Sequence, residues 1–225
     1  MPEREPHFEE EPVKSEKEAQ WKSIKEKIDL ETDAFGYKIE KEIKDTVIGL
    51  NALGINTSQS CEGHVDRGRI APWVDIQAPN EPKQFIGEDT IYQQVAEEFG
   101  ISFEEAQRSI NDLGKKAWLE AQKILEKQGQ TPEYIQWMEK GKEEGIKVKK
   151  LVEEFNKDRK VPGNVQITID ESPYDATIHN GGQDYWSAEK DRTEKQNKNL
   201  EKRLQKYRTE FKEFAEFLKK KFFKE

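Results

Sequence analysis

The sequence predicts an α+β fold: a small, mostly antiparallel four-stranded sheet with helices packed on one face and a long C-terminal helix. Two observations lead to this class. Three short segments alternate apolar and polar residues, as strands with one buried face do, and a fourth, mostly polar segment precedes them. The longer segments repeat apolar residues every three or four positions, which is the spacing of amphipathic helices.

Along the sequence, helices are predicted both before and after the first two strands. A helical stretch begins near Ser15 and breaks near Thr32 and Asp33, either of which can serve as an N-cap. Residues 89–128 and 131–159 are also predicted to be helical. The best-supported helix of the first half has apolar residues at helical spacing: Ile39, Ile43, Val47 and Leu50.

Residues 55–60 are predicted to form the first strand. Three further segments alternate apolar and polar side chains and are also predicted strands: residues 72–77, 165–170 and 176–179. A turn at residues 172–175 joins the last two, which therefore form a β-hairpin. The first strand is unusually polar for a buried strand, and a loop with two glycines comes after it.

The chain is predicted to be helical from Asp184 to its end. This helix carries a nearly heptad stripe of apolar residues: Leu200, Leu204, Tyr207, Phe211, Phe214, Leu218 and Phe222. Such a stripe can dock on the sheet, pair with another helix of the chain or dimerise, and the spacing leaves these alternatives open.

The domain organisation is predicted from these elements. Residues 1–14 are predicted to be a disordered acidic tail, because three prolines interrupt them and little could be buried. Residues 15–183 form a single α+β domain with a helical insertion at about 89–145. Residues 184–225 form the long amphipathic C-terminal helix.

Composition and charge limit the classes of protein to which the chain can belong. Acidic residues outnumber basic ones by 46 to 38, and the net charge of −8 disfavours general binding to nucleic acid or anionic membranes. The one cysteine excludes an intrachain disulfide and favours a reducing compartment. The first residues lack the apolar run of a signal peptide, and no segment is apolar enough to span a membrane. We therefore expect a cytoplasmic protein.

The segment of residues 60–64, with the sequence SCEGH, is the most distinctive chemically. An imidazole close to a thiol can lower its pKa, so Cys61 and His64 are predicted catalytic residues. Ser60, Glu62 and Gly63 are predicted to bind a ligand, with the Gly63 amide contributing to an anion-binding nest. The alternative is a purely structural turn. The sequence does not decide between them and identifies no cofactor.

The sheet face opposite the helices is a second candidate. If Val74 and Ile76 face the helices, strand alternation places Trp73 and Asp75 on the other face. Alternation in the hairpin places His179 on the same face as Trp73 and Asp75. An aromatic ring, a carboxylate and an imidazole on one face can form the floor of a small-ligand site, although a solvated sheet face would carry the same pattern.

A metal site is not predicted. Zinc accepts sulfur and nitrogen donors, but Cys61 and His64 supply only two of the four that it usually takes. His179 and a carboxylate such as Asp66 or Asp75 would have to complete the set.

Three segments resemble a family of uncharacterised bacterial proteins: residues 50–57 (LNALGINT), 60–64 (SCEGH) and 72–76 (PWVDI). That family shares a Thr-x-x-Ser-Cys-x-Gly-His core followed by a Pro-aromatic-Val strand. Residues 151–159 resemble its second block. The resemblance covers under half of the chain and implies no particular activity.

The first segment is also distantly similar to the wybutosine-synthesis methyltransferases that act on tRNA. Five residues match that family's pattern: Asn51, Thr57, Ser60, Cys61 and Gly63. His64 replaces an arginine and Glu62 a serine, which removes a charge that binds phosphate.

Three functions are therefore predicted as alternatives. The first is binding of a small ligand or nucleotide-like group at the Cys/Gly/His turn. The second is a helical interaction module that self-associates through the C-terminal helix. The third is an RNA-modification protein similar to the wybutosine family.

Overall fold

The computed structural model describes residues 11–33, 35–186 and 192–224. Within them the chain forms eight helices and four strands. The helices are α1 (Glu11–Leu30), α2 (Lys41–Ala52), α3 (Glu88–Phe99), α4 (Phe103–Arg108), α5 (Asp112–Gln128), α6 (Pro132–Asn156), α7 (Gln183–Trp186) and α8 (Glu194–Lys224). The strands are β1 (Thr57–Cys61), β2 (Trp73–Gln77), β3 (Thr168–Glu171) and β4 (Asp175–His179).

The four strands form one sheet in the order β1-β2-β4-β3, and each neighbouring pair is antiparallel. The apolar residues of the two central strands are buried on the face that meets the helices: Val74, Ile76, Ala176 and Ile178. The predicted α+β class, with an antiparallel four-stranded sheet and helices on one face, is confirmed.

Helices α2 and α8 approach each other closely in the core. A Cβ at Gly49 of α2 would lie only 2.8 Å from the Cβ of Leu218, so a larger residue there would separate the helices. The buried Thr46 hydroxyl donates a hydrogen bond of 3.2 Å to the carbonyl oxygen of Phe211. This bond satisfies a polar group that would otherwise destabilise the core.

The apolar stripe of α8 packs inside its own chain. All seven residues of the stripe are buried against the sheet and the neighbouring helices. Of the three alternatives that the spacing left open, the structure thus supports packing within the chain. Self-association through this stripe would require α8 to leave the core, and nothing in the described part of the chain supports it.

The described part of residues 184–225 contains two helices instead of the single helix predicted. Helix α7 ends at Trp186 and α8 begins at Glu194, and residues 187–191 lie outside the described residues. Thr193 and Gln196 form a capping pair: the Gln196 N–H donates to the Thr193 hydroxyl (3.3 Å), and the Thr193 N–H donates to the Gln196 side chain (2.7 Å). This pair starts a new helix at Glu194.

The first helix begins earlier than the sequence predicted. Helix α1 starts at Glu11, within the predicted tail of residues 1–14. Pro12 does not prevent this, because the first turn of a helix needs no N–H donor there. Residues 1–10 of the predicted tail lie outside the described residues.

Strand β3 begins later than predicted. Residues 165 and 166 donate their N–H groups to the carbonyl oxygen of Pro162, at 2.8 and 3.0 Å, and form a turn instead of extending the strand. Val165 consequently packs beside Tyr185 and Tyr207, outside the main core. The turn thus removes the first residues of the predicted strand from the sheet.

The described residues group into two compact units. One contains the sheet, with residues up to Pro79 and from Gly141 onward. The other, Asn80–Lys140, contains α3, α4 and α5 and has its own core of small and aromatic side chains: Tyr92, Val95, Ala96, Ala106, Ala117, Ala121 and Leu125. The sequence placed the helical insertion at about 89–145 within a single domain.

Among the described residues, none of the helices combines the length and the apolarity needed to cross a membrane.

Replacement of Phe211 by Ala should lower the free energy of unfolding by about 3–5 kcal/mol, because it leaves a cavity in the core. The Phe211 side chain is 0% exposed, whereas Phe35 is 86% exposed and serves as the matched control. Phe35→Ala should change stability by less than about 0.5 kcal/mol. Urea denaturation followed by circular dichroism measures both, and equal losses would contradict the packing of α8 in the core.

Candidate functional site

The connection between β1 and β2 carries most of the predicted site. Cys61 ends β1 opposite Trp73, which begins β2, and Trp73 in turn pairs with His179 of β4. Since neighbouring strands lie about 5 Å apart, these three residues form a row about 10 Å long. Ser60 instead pairs with Val74 and so points towards the helices, away from Trp73 and His179.

Glu40, which precedes α2, lies beside Cys61 and His64. One oxygen, Oε1, is 2.6 Å from His64 Nε2, and the other accepts the Glu62 N–H at 2.8 Å. Arg67 Nη2 lies 3.2 Å from the same Oε1. The ligand-type atoms of Glu40, Cys61 and His64 all lie within 4.8 Å of one another. The sequence did not identify Glu40, because more than twenty residues separate it from the turn.

The Cys61 thiol is not activated by this arrangement. Burial raises the pKa of Cys61 to about 11, the Gly63 N–H lowers it in part, and the Glu40 carboxylate raises it further. His64 directs its Nε2 at Glu40, so the expected lowering of the thiol pKa by an imidazole is not seen. The catalytic roles of Cys61 and His64 stay predictions, and a protonated thiol at neutral pH does not favour direct nucleophilic attack.

Hydrogen bonds also determine the ionisation of Glu40. Burial raises the pKa of this carboxyl group, but the hydrogen bonds from the Glu62 N–H and from His64 outweigh it. The pKa therefore lies below its ordinary value, and Glu40 is an anion at neutral pH.

Glu62 is bound on both oxygens within the protein. Oε2 accepts the Glu42 N–H at 3.0 Å, in the first turn of α2, and Oε1 accepts from Arg208 of α8 at 3.0 Å. Arg208 also donates to the carbonyl oxygens of Glu62 (2.9 Å) and Gly63 (2.7 Å). The Glu62 side chain thus links the turn to two helices and is not directed at a ligand.

The backbone of the turn is likewise used internally. The N–H groups of residues 62, 63 and 64 donate to Glu40, to Cys61 Sγ (3.4 Å) and to the carbonyl oxygen of Arg69 (3.0 Å). These donors would be needed for the anion-binding nest expected at Gly63. Gly63 has φ +78°, and a Cβ there would lie 2.3 Å from the carbonyl oxygen of Ile70, so the residue has a structural reason to be glycine.

Trp73 and His179 belong to a second cluster on the polar sheet face. The guanidinium carbon of Arg69 lies over the rings of Trp73, Tyr185 and Trp186, at 5.2, 4.5 and 5.8 Å from their centroids. Arg69 also donates to the Tyr185 hydroxyl. The His179 ring stacks on Tyr185 with centroids 3.9 Å apart. We call these five residues the arginine–aromatic cluster.

Carboxylates surround this cluster. Asp75 accepts a hydrogen bond of 2.6 Å from the Thr177 hydroxyl of the paired strand. Burial raises the pKa of Asp75, the Thr177 hydrogen bond and the Arg69 charge lower it in part, and Asp175 raises it. His179 Nε2 lies 3.0 Å from Asp170 Oδ2. Burial, together with Asp75 and Asp170, also raises the pKa of Tyr185, against the lowering effect of Arg69.

The structure therefore divides the predicted residues between the β1–β2 turn and the polar sheet face. Trp73, Asp75 and His179 come together as predicted, with Arg69, Tyr185 and Trp186 as additions. The aromatic pair at 185–186 after two glycines was a sequence signal for the last two. Arg69 had no such signal, because only the fold of the loop places it over the rings.

Comparisons of the chain with protein-family models, with curated proteins and with solved structures found no match.

Replacement of Gly63 by Ala should destabilise the protein far more than the same change at Gly68. Both glycines have positive φ, +78° and +58°, so both variants carry a backbone strain of about 1–2 kcal/mol. Only at Gly63 does the new Cβ meet backbone atoms, whereas nothing lies within 4 Å at Gly68. Urea denaturation should show a loss for Gly63→Ala that exceeds the Gly68→Ala loss by more than about 2 kcal/mol. Similar losses would contradict the close packing of the turn.

Asp75→Asn should raise the free energy of unfolding at pH 7. A carboxyl group whose pKa is raised on folding stabilises the folded state below its unfolded pKa, and this contribution is lost as pH rises through the folded pKa. Asn has no charge to desolvate, and its oxygen still accepts from Thr177. The gain should disappear near about pH 3, below the ordinary Asp pKa.

Denaturation in urea at both pH values tests this expectation. Glu171→Gln is the matched control, because Glu171 is an exposed carboxylate of β3 that pairs with Lys149 at 2.6 Å. The control should leave stability unchanged or slightly lower at pH 7. A loss of stability in Asp75→Asn at pH 7 would contradict the burial effect.

Proposed function

We propose that this protein binds a small ligand with a planar, nitrogen-rich ring, such as a nucleobase, on the polar sheet face beside the arginine–aromatic cluster. The observation that carries the proposal is Asp75, a half-buried carboxylate that lies near Arg69 and Tyr185 of the cluster and whose pKa is raised by burial. Such an acid lowers the stability of the folded chain at neutral pH, and acids of this kind are concentrated at functional sites.

The rings supply the apolar part of the site. Trp186 is 66% exposed, although large aromatic side chains are usually buried. Its ring lies edge-on to Tyr185 at 4.7 Å, which leaves the Trp186 ring accessible to a stacked ligand. Stacking of a base on an aromatic side chain contributes about 1–3 kcal/mol.

The charges favour a base over a phosphate. Asp75, Asp170 and Asp175 lie near the cluster, and Arg69 is the cation that faces its rings. Carboxylates accept hydrogen bonds from ring N–H and amino groups, whereas they repel a phosphate. This distribution also argues against the RNA-modification alternative, in which the site would meet a polyanion.

The other predicted functions have less support than the binding of a small ligand. Burial of the α8 stripe removes the surface on which self-association was based. A cytoplasmic location remains part of the proposal, and the single free cysteine, Cys61, agrees with a reducing compartment.

Saturation-transfer NMR of the full chain with adenosine, guanosine, cytidine and uridine tests the proposal. We expect base protons of at least one nucleoside to receive saturation, with a Kd between about 10 µM and 1 mM. The corresponding monophosphate should bind no more tightly. Asp75→Asn and Trp186→Ala should each weaken binding more than fivefold.

The matched controls are Glu171→Gln and Phe35→Ala, which change an exposed carboxylate and an exposed ring away from the cluster, and they should bind as the unaltered chain does. The proposal fails if none of the four nucleosides binds at about 5 mM, which would imply an affinity below the useful range. It also fails if Asp75→Asn binds normally. Salt-dependent binding of tRNA with no binding of nucleosides would favour the RNA-modification alternative instead.

A further inference from the structure

We propose that Glu40, Cys61 and His64 bind a zinc ion through a carboxylate oxygen, the thiolate sulfur and a ring nitrogen. These three donors come from separate parts of the chain, before α2, at the end of β1 and in the β1–β2 connection. Their ligand atoms lie within 4.8 Å of one another. Sulfur, nitrogen and carboxylate oxygen together suit zinc better than magnesium or calcium, which take oxygen donors.

The distances fit a tetrahedral ion after a small movement. Zinc bonds of about 2.0–2.3 Å place pairs of ligand atoms about 3.3–3.6 Å apart. Glu40 Oε1 and His64 Nε2 are now joined by a hydrogen bond of 2.6 Å, so they would separate by less than about 1 Å. Arg67, which touches both groups, has a side chain that is 68% exposed and can turn into solvent.

Hydrogen bonds from the surrounding chain already orient the three ligands. The second oxygen of Glu40 accepts the Glu62 N–H, which leaves Oε1 directed at the cluster. The His64 backbone N–H donates to the carbonyl oxygen of Arg69. Arg208 holds the carbonyl oxygens of Glu62 and Gly63, between the two turn ligands. Such outer contacts commonly hold metal ligands in place and strengthen binding.

A purely structural role explains part of this arrangement. The contacts of His64 and Arg67 with the Glu40 carboxylate would hold the turn without any metal. In that role the Cys61 thiol donates a hydrogen bond to the Glu40 carboxylate and its sulfur accepts the Gly63 N–H at 3.4 Å. The two explanations differ in one measurable respect, which is whether a metal ion forms a bond to the thiolate.

Three protein ligands leave the fourth zinc position for water or a ligand atom. Sites closed by four protein side chains are usually structural, whereas sites with an open position are usually catalytic. Cys61 pairs with Trp73, so the site would lie at the end of the row that leads to His179. The zinc site does not depend on the proposed nucleobase binding, and each can fail without the other.

Cobalt is the most specific probe, because the chain has one cysteine and a thiolate-to-cobalt band can therefore come from that residue alone. The untagged full chain, freed of metal, is titrated with CoCl2 and the absorption spectrum recorded. We expect one Co²⁺ per chain, a near-ultraviolet thiolate-to-cobalt band and visible bands of a four-coordinate ion. Added ZnSO4 should remove these bands by displacing cobalt. Absence of the thiolate band in the unaltered chain would overturn the proposal without reference to any variant.

Variants then assign the ligands. Cys61→Ser should abolish the thiolate band, and Cys61→Ser and Glu40→Gln should each weaken Zn²⁺ binding more than tenfold in calorimetry. Asp45→Asn is the matched control, since Asp45 is an exposed carboxylate of α2, and it should bind as the unaltered chain does. Normal Zn²⁺ binding by folded Cys61→Ser and Glu40→Gln would overturn the proposal.

Discussion

Arg208 of α8 holds the β1–β2 connection in place, and the geometry of both candidate sites depends on it. It donates to two successive carbonyl oxygens and to the Glu62 carboxylate. The side chains of Arg208 and Glu62 are only 17% and 18% exposed, so water screens this ion pair far less than it screens a pair on the surface. Since Glu62 also accepts the Glu42 N–H, one carboxylate joins the turn to the start of α2.

The connection presents different chemistry at its two ends because its backbone reverses tightly at Gly63. Near β1, Cys61 and His64 face Glu40 and form a small cluster of sulfur, nitrogen and oxygen donors. Near β2, Arg69 lies over the aromatic rings of the polar sheet face. The antiparallel register relates the two ends, because Cys61, Trp73 and His179 occupy one row across the sheet.

Much of the fold could be predicted because its cause is local and periodic. Alternation in the strands identified the buried positions of β2 and β4, and the α8 spacing identified seven residues that are buried. Errors arose where a polar contact overrides the pattern. The carbonyl oxygen of Pro162 holds residues 165 and 166 in a turn, and the Thr193–Gln196 pair starts a separate helix. Both signals were present in the sequence, because Thr193 and Gln196 have the spacing of a capping pair and Pro162-Gly163 is a typical turn dipeptide.

The sequence by itself determined the fold class, the position of the SCEGH segment at the end of a strand, and the polar face with Trp73, Asp75 and His179. Only the tertiary structure decided what surrounds these residues. Glu40 and Arg208 reach the turn from more than twenty and more than one hundred residues away. No periodic pattern records such contacts, because they depend on how α2 and α8 pack on the sheet. That packing directs His64 at Glu40 and leaves the Cys61 thiol half-buried and protonated, so it changes which chemistry the SCEGH segment can support.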